Sequence, residues 1–146
     1  MSNFGRLVVA ALIVLLVPTF AMASPVGKPV KGAHYVGTVG PGYPVKFTVS
    51  SKGKNVLKLV VAFDATCEGS PSLTAPRFHY KTLPIKSGRF RGTASKNFGD
   101  SSGDVVRISG HFHGRKASGT VTSILTIKSL GSCTEKDPFT TKVKAS

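Results

Sequence analysis

The chain is expected to fold as an all-β domain, and three observations lead there. Apolar and polar residues alternate with a period of two along most of its length. Sixteen Gly and 9 Pro punctuate it at short intervals. No segment after residue 23 carries a helical period. The architecture these predict is an antiparallel β-sandwich or barrel-like sandwich of about seven to nine strands, closed by one disulfide.

The N-terminus accounts for the only long apolar run. Arg6 precedes Leu7–Val17, eleven apolar residues ended by Pro18, and Ala21-Met22-Ala23 supplies small residues at cleavage spacing. This is the pattern of a secretory signal over residues 1–23. The run is short of the ~20 residues a membrane-spanning helix needs, so no transmembrane anchor is expected in the mature form. Residues 24–32 (SPVGKPVKG) read as a flexible leader, and 33–146 as one β-domain.

Within the domain the strands are read in order. His34–Val39 is short and turns at Gly40-Pro41-Gly42. Tyr43–Ser50 places Val45, Phe47 and Val49 on one face. Asn55–Cys67 is expected as the longest strand, with Leu57, Leu59, Val61, Phe63, Ala65 and Cys67 inward. Glu68–Pro76 is a loop, and Phe78–Tyr80 a short edge segment. Leu83–Lys86 and Arg89–Ala94 flank a Ser87-Gly88 hairpin turn. Ser95–Gly103 is expected as a polar, flexible loop. Val106, Ile108, Gly110 and Phe112 point inward on the next strand. Ala117–Lys128 returns with Gly119, Val121, Ser123, Leu125 and Ile127 on one face. Phe139, Thr141, Val143 and Ala145 alternate on the last strand.

Cys67 and Cys133 are the only cysteines. Outside the cell a lone pair most simply forms one disulfide. A metal site on the sulfurs lacks the spacing it needs, and a pair of redox-active free thiols is the remaining alternative.

The order of these signals resembles small secreted β-domains of actinobacterial type. The residues that carry the likeness are Tyr35, Gly37, Cys67, Gly88, Phe90, Gly110, Phe112, Ala117, Gly119, Thr120, Cys133 and Phe139. The chain departs from that pattern at Val36 and Thr38, and at Phe139, where Trp is frequent. The resemblance implies a fold and an extracellular location, and brings no activity with it.

Chemistry is sparse. Only Asp64, Glu68, Asp100, Asp104, Glu135 and Asp137 carry carboxylates, and no spacing pairs them for acid–base work. Gly99–Gly103 has the letters of a serine-nucleophile loop without a linked base and acid. No catalytic residue and no cofactor is therefore assigned. His111 and His113 share a strand face and are weak metal candidates, with His34 or His79 as the only further imidazoles. Charge is the informative feature: 20 Lys+Arg face 6 Asp+Glu, a net charge of +14. Lys46, Lys52, Lys54 and Lys58, with Arg89 and Arg91, are the candidate anion-binding residues. Nucleic acid is disfavoured by export and by the lack of a recognition signature.

The expected function is a secreted, non-enzymatic, monomeric binding module. Its partner would be an anionic polysaccharide, an envelope polymer or a protein. The alternatives are a secreted inhibitor presenting Glu68–Pro76 or Ser95–Gly103 to an enzyme, or a small hydrolase using Asp64, Glu68 or the His pair.

Overall fold

A computed structural model describes residues 25–63, 65–67 and 76–145. The expected signal segment 1–23, Asp64 and Glu68–Leu73 lie outside them, as do Thr74 and Ala75 of the expected loop. Nine strands form: β1 (His34–Val39), β2 (Tyr43–Val49), β3 (Asn55–Ala62), β4 (Arg77–His79), β5 (Leu83–Pro84), β6 (Arg89–Gly99), β7 (Ser102–His113), β8 (Lys116–Ile127) and β9 (Gly131–Val143). All pair antiparallel in the order β4-β3-β2-β1-β9-β8-β7-β6, with β5 also on β3. Of the two expected architectures this is the barrel, because one continuous sheet curls on itself rather than two sheets packing face to face.

The remaining seam lies between β4/β5 and β6. It is closed mostly by side chains. The Tyr80 hydroxyl donates to Val106 O at 3.0 Å. Leu83 and Tyr80 lie over Gly92, where a Cβ would come within 2.7 Å of Leu83. Lys86 and Arg89 exchange two backbone hydrogen bonds across Ser87-Gly88, and both turn residues have positive φ. That is the geometry a two-residue hairpin with the native strand twist requires.

Alternation is observed where it was expected on β2, β7, β8 and β9: Val45, Phe47, Val49, Val106, Ile108, Phe112, Val121, Leu125 and Phe139 are buried. The barrel interior is solid. Tyr35 stacks on Phe47 at 5.0 Å, and Phe112 meets both rings edge-on. One interior row explains two glycines. Phe90, Gly110, Gly119 and Phe139 are direct neighbours across β6, β7, β8 and β9. The rings of Phe90 and Phe139 fill the space over the two glycines, with centroids 6.3 Å apart.

Two expectations need correction. Asn55–Cys67 is not one strand: β3 ends at Ala62, and its alternation breaks at Lys58. Thr48 pairs with Leu57 but Lys46 with Val60, so Lys58 and Leu59 together oppose Phe47. This is a β-bulge with Lys58 at φ 51°. It buries Val56 and leaves Leu57 only half-buried. Ser95–Gly103 is not a loop, because β6 and β7 continue through it to a tight turn at Asp100-Ser101. Its residues, Phe98 apart, are small or polar because this part of β6 is exposed on both faces. Residues 25–32 hold no strand and are hydrogen-bonded to the barrel. Gly27 N donates to Phe112 O at 2.6 Å. Val30 N donates to the Tyr35 hydroxyl, which itself donates to Gly114 O at 2.6 Å.

Cys67 and Cys133 are bonded, with Cα atoms 5.7 Å apart. The bridge ties the segment after β3 to the start of β9, where β9 has run past the end of β1. Thr66 N adds a hydrogen bond to the Glu135 carboxylate at 3.1 Å.

Candidate functional site: a cationic end of the barrel

The meander sends alternate strand ends to opposite ends of the barrel, and charge follows. Asp100, Asp104, Glu135 and Asp137 are the carboxylates among the described residues. All four belong to the end that holds the β1–β2 and β6–β7 turns, the start of β9 and the disulfide. The opposite end gathers the leader, the β2–β3, β5–β6 and β7–β8 turns and the end of β9. Lys28, Lys31, Lys52, Lys54, Lys86, Arg89, Arg115, Lys116, Lys142 and Lys144 all belong there.

The strand register sharpens this on the outer face. One cross-strand row reads His113, Lys116, Lys142, Val36, Lys46, Val60 and His79 from β7 round to β4. Lys116 and Lys142 are directly opposite one another. No carboxylate occupies the row. Beside it a shallow groove is lined by His34, Val36, Lys46, Lys58, Val60 and Lys144. The bulge is what aims Lys58 into that groove, and bulges serve this purpose elsewhere. His34 is fixed there by Thr48, with Oγ1 2.9 Å from Nδ1.

The structure therefore brings Lys46 and Lys58 together. Lys52 and Lys54 sit apart on the β2–β3 turn, where the aliphatic stem of Lys31 lies close to Gly53. Arg89 and Arg91 stand on β6, in register with His111 and Ser109. Lys116, Lys142 and Lys144 were missed as candidates. Their signal is legible in Lys142-Val143-Lys144, where Lys flanks an inward Val.

The imidazoles also meet near this end. His111 and His113 have ring centroids 4.5 Å apart, and both Nε2 atoms lie 3.4 Å from the Ser118 hydroxyl. Burial lowers the His111 pKa, helped by His113 and Arg89. Among the described residues no group of three His, Cys, Asp or Glu side chains could hold a metal ion. His34 and His79 thus stay apart from the pair.

At the other end, Asp104 is buried, 3 % exposed. It accepts a 2.7 Å hydrogen bond from Ser123. Burial raises its pKa, while that bond and the backbone N–H groups of Ile124 and Val105 lower it less. Burial and the Asp104 charge together raise the Tyr80 pKa. Asp104 and Tyr80 are both shielded from solvent. Among the described residues no helix is long and apolar enough to cross a membrane. No protein family, no curated protein and no solved structure matches the chain.

Proposed function

We propose that the protein is a non-catalytic binding module, acting outside the cell, that holds anionic polysaccharide or a similar polymer against the cationic end of its barrel. The observation that carries this is the Lys row. Like charges directly opposite on neighbouring strands weaken a sheet, and a left-handed Lys58 costs about 1 kcal/mol relative to Gly. Folding alone favours neither a Lys–Lys pair nor a Lys in place of Gly at the bulge. Both become useful when an extended polyanion neutralises Lys46, Lys58, Lys116, Lys142 and Lys144 together. The packed aromatic interior supports a surface mode of binding, since the lumen is filled by Tyr35, Phe47, Phe90, Phe112 and Phe139.

The disulfide fits an oxidising compartment, and the N-terminal pattern supports export. Binding of this kind is long-range, tolerant of exact ligand sequence and salt-sensitive. An amide-shift titration with a sulfated hexasaccharide tests the placement. The expected shifts fall at Lys46, Lys58, Lys142 and Lys144. Shifts confined to the Asp100-Ser101 turn, or none at low salt, would overturn the proposal.

A further inference from the structure

We propose that His111 and His113 form a two-imidazole site for a divalent transition metal ion, with copper(II) the preferred ion. The argument starts from β7. Residues two apart on a strand share a face, which places both rings on the outer surface beside Ser118 of β8, the direct cross-strand neighbour of His111. The two Nε2 atoms converge, each 3.4 Å from the same Ser118 Oγ. That hydroxyl can donate to the His113 Nε2 lone pair while its own oxygen accepts from His111, so displacing one proton from His111 Nε2 turns both ring nitrogens toward the same point.

The tautomer of His113 is fixed by the leader. Its Nδ1 lies 3.1 Å from the Pro25 carbonyl oxygen, which can only accept a hydrogen bond. Nδ1 therefore carries the proton, and the Nε2 lone pair is directed to Ser118. A backbone carbonyl behind the distal nitrogen is the usual support of a metal-binding His. Pro25 is itself held in place, because Gly27 N donates to Phe112 O on the same strand.

Neutral imidazoles suit copper, zinc and nickel, and the usual order of affinities places copper(II) first. Two protein nitrogens leave the remaining positions to Ser118 and solvent, as expected of an open site rather than a closed structural one. The site adjoins the Lys row, since His113 is its end member opposite Lys116, and differs from it in chemistry: it takes a cation through imidazole lone pairs, whereas the lysines take anions.

The test is a titration of the full chain with copper(II) at neutral pH, followed by calorimetry and by pulsed electron paramagnetic resonance. The expected result is one ion per chain with couplings from two imidazole nitrogens. His111→Asn and His113→Asn should each weaken binding at least tenfold and leave a single coupled imidazole. His34→Asn and His79→Asn should bind as the parent does. Circular dichroism confirms that each variant keeps its strands. Affinity unchanged from the parent in either β7 variant would overturn the proposal. So would a spectrum showing only amine and amide nitrogens.

Discussion

Gly110→Ala adds one methyl group at a crowded point of the barrel interior. Its Cβ would lie 2.5 Å from Phe90 Cζ and 2.8 Å from Phe139 Cζ. Carbon atoms at rest stay roughly 3.5–4.0 Å apart, so both rings must retreat by about 1 Å. They have little room, since Phe90 already packs on Phe47 at 5.5 Å and on Phe112 at 5.4 Å. Overpacking of this kind costs roughly 1–3 kcal/mol. Replacing Gly restricts the unfolded chain and returns about 0.4–1 kcal/mol. The net expectation is a loss of about 1–2 kcal/mol, read as a urea midpoint lowered by on the order of 1 M. Phe90→Leu opens space beside the new methyl, so the double variant should lose less than the sum of the singles. A Gly110→Ala protein as stable as its parent would refute the claim that ring packing dictates this glycine. Strict additivity of the two changes would refute it equally.

Cys67→Ser releases a loop whose ends are 66 positions apart in sequence. Loop entropy predicts a loss of about 4 kcal/mol, checked by urea unfolding beside the reduced parent. Lys58→Gly relieves the left-handed backbone and should raise stability by up to about 1 kcal/mol, with weaker polyanion binding; a loss of stability would contradict the bulge. Asp104 sets a pH dependence. Its folded pKa lies above the ordinary carboxylate value of 3.8, so the native state holds the proton more tightly. The resulting stabilisation is present below 3.8 and lost as pH rises through the raised value. Asp104→Asn removes that response. The parent should gain stability relative to the variant on acidification, and a gap moving the other way would refute the assignment.

How much of this was legible in the letters depends on what each residue faces. β2, β7 and β8 were readable because one face is buried along most of their length, which writes alternation directly into the sequence. The Lys58 bulge was not, because Val56, Leu57 and Leu59 are all apolar and either register looks inward. The far half of β6 was hidden for the opposite reason: exposed on both faces, Ser95–Gly99 needs no apolar residue. The pinned leader makes its bonds through the backbone of Pro25, Gly27 and Val30, which composition does not record. At the candidate site, the excess of Lys and Arg was plain from the start. Its concentration at one end was not, because Lys46, Lys116 and Lys142 are far apart in sequence and meet only through the β1–β9 closure.

The salt dependence of polyanion binding tests the central claim most directly. Two variants carry the same charge loss in different places: Lys46, Lys142 and Lys144 to Gln at the cationic end and its flank, and Lys96, Lys128 and Lys136 to Gln toward the other. Each cation that neutralises the polymer contributes roughly 0.7–0.9 to the slope of log K against log salt. The first variant should lose about 2 from that slope and the second almost none. Equal slopes in the two would show that net charge alone drives binding, and would contradict a built surface.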